Sequence, residues 1–128
     1  MNTKQGLYYG SYLKLDSLLN SQECESVKAG KPAHDEMLFI IVHQAFELWF
    51  KQILHELTDV ITILSADYVP EAKVGVCLDR IYRVNRILGL LPEQFSILET
   101  MTPRSFMEFR DYLYPASGFQ SWQFRLFE

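Results

Sequence analysis

An all-α fold is predicted for this chain of 128 residues, and three observations predict it. Apolar residues recur at helical spacing in each long segment, and no stretch alternates convincingly with period two. The strongest segment, Asp35 to Leu57, contains neither Gly nor Pro. Hydrophobic residues at 48% and aromatics at 14% suffice for one domain with a real core. A net charge of -4 with no basic cluster excludes a nucleic-acid surface. Cys24 and Cys77 are isolated, with no CxxC or CxxCH, which points to a reducing compartment. Met1 to Gly10 lacks the apolar run of a signal peptide, and Met37 to Val42 is too short to span a bilayer. A cytoplasmic protein without a membrane partner is expected.

In chain order, Leu7 to Asp16 reads as extended or irregular, with Gly10 as a bend. Leu15, Leu18 and Leu19 give a short helical stripe ending near Asn20. Cys24 to Pro32 reads as a polar linker. The central helix is predicted from about Asp35 to Ser65, with Leu38, Ile41, Ala45, Leu48, Gln52 and Glu56 along one stripe. Gln44, Glu47, Lys51, His55 and Thr58 follow a polar face, and Asp35 and Glu36 occupy the first turn, where carboxylates suit the helix dipole. The first half of this helix is apolar on nearly every other face, so two of its sides must be buried.

Pro70-Glu71 opens the next helix, with Val76, Ile81, Val84, Leu88 and Leu91 expected to be buried. Asp79, Arg80, Arg83 and Arg86 read as a solvated or intersubunit face, since no Gly-rich loop accompanies them. Gly89 and Pro92 are expected to break this helix, leaving Glu93 to Met101 as a short separate one. Thr102-Pro103 is an N-cap followed by proline at the first helical position. The helix it starts carries Phe106, Phe109, Arg110 and Leu113 at three-one-three spacing, placing Arg110 on an apolar stripe.

Two residues carry the chemistry. His43 sits among Phe39, Phe46 and Glu47, and an imidazole buried there needs a partner for its ring nitrogens. It is either a core histidine bonded to a carbonyl or a residue facing a closed apolar cavity that holds a polar ligand atom. Arg110 cannot lose its proton and must find an anion, either a core carboxylate such as Glu99 or a ligand. His43 and Glu47 are four apart, but no HExxH, di-iron Glu-x-x-His or GxSxG motif occurs.

Three segments together resemble the tryptophan 2,3-dioxygenase family: Phe39 to Gln52, Gln94 to Met101, and Pro115 to Ser121, in the family's order. The resemblance implies a helical-bundle haem enzyme that inserts dioxygen into the indole ring of L-tryptophan, giving N-formylkynurenine. It implies that His43 is catalytic, hydrogen-bonding the indole nitrogen, and that Phe39, Phe106 and Leu113 line the ring. It further implies that Arg110 forks onto the substrate carboxylate and that Ser117 and Gly118 lie over haem b. Tyr9 and Tyr12 would close the site of a neighbouring subunit in a homotetramer; packing on their own domain is the other reading of those tyrosines. Residues 1–33 are then an arm and linker against that neighbour, and residues 34–128 are the distal-pocket half of the haem domain. The family's proximal haem histidine falls in its C-terminal half, so none of His34, His43 and His55 is expected to hold iron. The aromatic run from Phe119 to Phe127 suggests an N-terminal portion of a longer protein. A related haem enzyme on another aromatic amino acid, or a helical assembly module without haem, are the alternatives.

Overall fold

Two antiparallel helices form the frame. The computed structural model describes residues 6–128; the first five residues of the expected arm lie outside that range. Short helices α1 (Tyr9–Tyr12), α2 (Leu15–Leu19) and α3 (Glu25–Lys28) precede the long α4 (Glu36–Leu64) and α5 (Glu71–Leu98). Then come α6 (Pro103–Met107), two 3-10 turns (Arg110–Leu113 and Gly118–Gln120) and α7 (Trp122–Phe127). No strand occurs among the described residues, so the chain is all-α.

α4 matches the predicted bounds, but its buried face is rotated from the expected stripe. Val42, Phe46, Ile53, Glu56 and Val60 are buried, while Ile41 and Leu48 are exposed. Both three-four patterns are available on a helix this apolar, and α5 selects the one carrying the aromatic rings. Val42, Phe46 and Ile53 pack with Val84, Ile87 and Leu91 of α5 to make the core, each buried side chain contributing about 1.5–3 kcal/mol. α7 lays Phe124 and Phe127 against Phe50 of α4, with ring centroids 5.7 and 5.1 Å away. By length and composition α4 could cross a membrane. It carries Glu47, Lys51, Glu56 and Asp59, however, and two of these pair with α5, as suits a core helix.

α5 runs unbroken through Gly89 and Pro92, against the expected break. Proline removes one donor to the carbonyl four residues back, that of Leu88. Leu88 and Pro92 both lie on the exposed side, where water can take that carbonyl, so the helix survives. Val84 and Leu91 are buried as expected; Ile81 and Leu88 are exposed, and Cys77 and Ile87 face inward instead. Two of the arginines read as part of a solvated or intersubunit face bridge the helix pair instead: Arg83 Nη1 meets the buried Glu56 at 3.0 Å, and Arg80 Nε meets Asp59 at 3.1 Å.

The stretch read as a linker is more ordered than its composition suggests. Glu25–Lys28 is helical, Ser26 is fully buried, and Gly30 takes the left-handed φ of 76° that turns the chain toward α4.

Candidate functional site

The site is assembled on the first half of α4. His43 Nδ1 lies 2.7 Å from the Phe39 carbonyl one turn earlier. A carbonyl only accepts, so Nδ1 carries the proton in this bond, and in the neutral ring Nε2 is left as an acceptor. The bond to a carbonyl is the one the core-histidine reading expects, and His43 at the same time lines a cleft. Phe39 packs on the imidazole with centroids 4.3 Å apart and the rings tilted by 37°. Phe39 is itself held by Phe109 at 5.5 Å and Phe106 at 5.8 Å. Phe109 is fully buried, so this aromatic wall is anchored from behind.

Two adjoining clefts share that wall. The larger, of about 720 Å³, is lined by Phe39, Ile40, His43, Leu113, Ser117 and Gly118 among others. The smaller, of about 490 Å³, is lined by Phe39, Phe106, Arg110, Leu113, Tyr114 and Ser117 among others. The first volume lies within the range of small-molecule pockets. Both are open clefts rather than the closed cavity expected around His43.

Arg110 does not lie on a buried stripe. The α-helix stops at Met107 and tightens into a 3-10 turn at Arg110–Leu113, so Phe109 takes the inward position and Arg110 is exposed. Its nearest polar contact is the Met107 sulfur at 3.9 Å, and among the described residues it forms no ion pair, with Glu99 or any other carboxylate. A permanent cation on the rim of an apolar cleft is suited to an anionic ligand group.

Beyond it, the loop is held by its own turn. Ser117 Oγ accepts from the Phe119 amide at 3.2 Å, and the Ser117 amide donates to Gln120 Oε1 at 3.2 Å. Gly118 does not use a left-handed φ; a Cβ there would meet nothing within 4 Å, so its smallness leaves the cleft open.

The fold therefore brings Phe39, His43, Phe106, Arg110, Leu113, Ser117 and Gly118 to one pair of clefts. Tyr9 and Tyr12 are not brought there: they sit on α1, at 75% and 67% exposure, and line neither cleft. His34 and His55 are also exposed and outside both. No cluster of three or more His, Cys, Asp or Glu suited to a metal occurs among the described residues.

Sequence reasoning missed the polar fastenings. Gln123 Nε2 donates to the Glu47 carboxylate at 2.8 Å and to its backbone carbonyl at 3.0 Å, tying α7 to the cleft. Gln22 Nε2 donates to Gln44 Oε1 at 2.8 Å. Glu36, read only as a first-turn acid, is fully buried. Nothing local distinguishes these residues from solvated ones; the nearest signal is an acid directly preceding an apolar run.

The model of the family described as tryptophan 2,3-dioxygenase matches residues 1–128. The chain belongs to that family. It is 59% identical over 127 residues to the tryptophan 2,3-dioxygenase of Dictyostelium discoideum, covering 99% of this chain and 32% of that protein. The tryptophan 2,3-dioxygenase of Xenopus tropicalis is 58% identical, covering 98% of this chain and 31% of its own length. That of Bdellovibrio bacteriovorus is 54% identical, over 95% and 34%. The chain thus spans about a third of the length of these curated relatives.

Proposed function

We propose that this chain is the distal, substrate-facing part of a haem-dependent tryptophan 2,3-dioxygenase. The reaction adds both atoms of dioxygen across the indole C2–C3 bond of L-tryptophan, giving N-formylkynurenine and beginning tryptophan breakdown through kynurenine. The observation that carries this reading is the His43–Phe39 bond, which leaves Nε2 as an acceptor beside an aromatic wall. An indole N–H is a donor on a flat apolar ring, and the wall and Nε2 are its complements. Phe39, Phe106 and Leu113 flank the ring, and Arg110 forks onto the amino-acid carboxylate from the rim. Each of these contacts orients the substrate; none transfers an atom to it.

Haem b, when bound, supplies the activation of dioxygen. The residues present fit one wall of its site. Ala116, Ser117 and Gly118 are small, and the space over Gly118 is open. They would not supply a ligand to its iron, because His34 and His55 lie outside the clefts and His43 is given to substrate. None of these three histidines is therefore assigned to the iron. The exposure of Tyr9 and Tyr12 supports their closing the site of a neighbouring copy, and exposed Tyr8, Tyr114, Phe119 and Trp122 support association, as a homotetramer. Two free thiols, Cys24 and Cys77, support a cytoplasmic setting.

In the complete, haem-loaded protein, His43→Ala is expected to keep its haem absorbance while tryptophan turnover falls by roughly 10- to 100-fold. Loss of the haem together with turnover would show that His43 holds the iron, and would overturn the assignment. The isolated chain should bind haem weakly, below one per chain, and cleave no tryptophan.

A further inference from the structure

Glu36 is fully buried, and among the described residues it has no cationic partner. Its carboxylate collects donors from an earlier part of the chain instead. Oε1 accepts from the Glu25 amide at 2.8 Å, and Oε2 accepts from the Ser26 amide at 3.0 Å and the Ser26 hydroxyl at 2.5 Å. Ser26 Oγ in turn accepts from the Ala33 amide at 3.0 Å. Burying a carboxylate is costly unless such donors meet it, so the loop that brings them is fixed to the first turn of α4.

A second fastening lies about two turns further along the same helix face. There Gln44 accepts from Gln22 Nε2 at 2.8 Å and donates to Ser21 Oγ at 3.2 Å. The stretch from Leu18 to Ser26 is therefore a strap running antiparallel to α4, pinned at Glu36 and at Gln44. Phe39 and His43 lie between the pins. Leu18, Ser21, Glu23 and Glu25 of the strap line the same cleft as His43 and the loop bearing Ser117. Glu36 borders that cleft but is wholly covered, so it does not reach a ligand.

We propose that Glu36 is a positioning residue of the substrate site: it holds the strap at a set distance from His43 and so fixes how closely the cleft fits an indole ring. The substrate in this statement rests on the function proposed above; the fastening does not. Because the strap touches the bound ring rather than the reacting bond, its release should weaken substrate binding and spare the chemical step.

The test uses the complete haem-loaded protein and two readouts, amide hydrogen exchange and steady-state kinetics with L-tryptophan. Glu36→Gln keeps one acceptor oxygen and turns the other into a donor, so it should remove the exchange protection of one of the Glu25 and Ser26 amides. It should raise KM about tenfold while kcat changes less than about twofold, with haem content unchanged. Protection retained in Glu36→Gln would overturn the fastening. Protection lost with KM unchanged would reduce Glu36 to a purely structural clip and overturn the positioning role, as would equal losses in kcat and kcat/KM. If Glu36→Gln does not fold, Gln22→Ala, combined with Ser21→Ala, undoes only the second, half-buried pin. A KM raised about threefold supports the strap as a wall of the site, and an unchanged KM refutes it. A wild-type protein that consumes no tryptophan would instead sink the dioxygenase reading, and the exchange data alone would then decide whether Glu36 holds the strap.

Discussion

The α4–α5 pair and the run of short turns from Thr102 to Phe127 are built on opposite principles. The helix pair satisfies itself: an apolar seam runs its length, and Asp59–Arg80 and Glu56–Arg83 bridge it. The later segment holds few buried side chains, and leaves Tyr114, Phe119 and Trp122 at 88%, 85% and 66% exposure. Yet Arg110, Leu113, Ser117 and Gly118 are all on that second segment. The helix pair is closed on itself and gives the clefts the wall that bears Phe39 and His43, while the later segment supplies the rest of their lining and leaves its own aromatics uncovered.

The largest expected effect breaks the first region. Ile53 is fully buried at the middle of the seam, so Ile53→Ala should destabilise the fold by about 2–5 kcal/mol. Trp122→Ala, in the second region, should cost under about 0.5 kcal/mol in the isolated chain. Chemical denaturation of both variants checks the contrast; equal losses would erase it.

A smaller effect isolates recognition from stability. Arg110→Lys keeps the charge but loses the planar fork, and should weaken tryptophan binding by about 1–3 kcal/mol with the unfolding midpoint unchanged. Tryptamine, which lacks the carboxylate, should show no difference between the two proteins. If tryptamine binds wild type as well as tryptophan does, Arg110 has been given the wrong task.

The smallest effect reports on the strap. Burial pushes the Cys24 thiol up from its ordinary range, and the charge and hydrogen bond of Glu36 push it the same way. A raised pKa means less thiolate at neutral pH, so alkylation of Cys24 should be slower than that of a free cysteine and should gain speed only at higher pH. Glu36→Gln should shift that profile part of the way down, because burial, the larger cause, remains. Peptide mapping of labelled Cys24 across pH measures it, and a profile matching free cysteine would break the account.

What could be read from sequence followed the same divide. α4 and the start of α5 were legible because period and punctuation agree: an apolar run free of Gly and Pro, then Pro70 at the next cap. Which face of α4 is buried was not legible, since Ile41 and Leu48 look as apolar as Val42 and Phe46. Pro92 misled because its effect depends on whether the deprived carbonyl faces water, a tertiary fact. His43 and Arg110 stand out by residue type and spacing, the other site residues by family resemblance, and the fold brings them to the same pair of clefts. The Glu36 fastening could not be seen, because a first-turn acid looks the same whether it meets solvent or two amides from elsewhere.

One tie has a consequence for the order in which the chain comes together. The Glu47–Gln123 bond joins residues 76 apart, whereas Asp59–Arg80 joins residues 21 apart. Loop-closure entropy makes the longer connection dearer by about 1 kcal/mol before any contact is gained. The helix pair is therefore favoured to close first, with α7 docking on a surface that already exists. During that interval Phe50 keeps the ring of Phe46 and Phe124 that of Phe127, but the contacts of Phe50 with Phe124 and Phe127 are missing. The length of the interval, and the exposure to aggregation that comes with it, is set by where Gln123 falls in the chain rather than by how apolar the chain is.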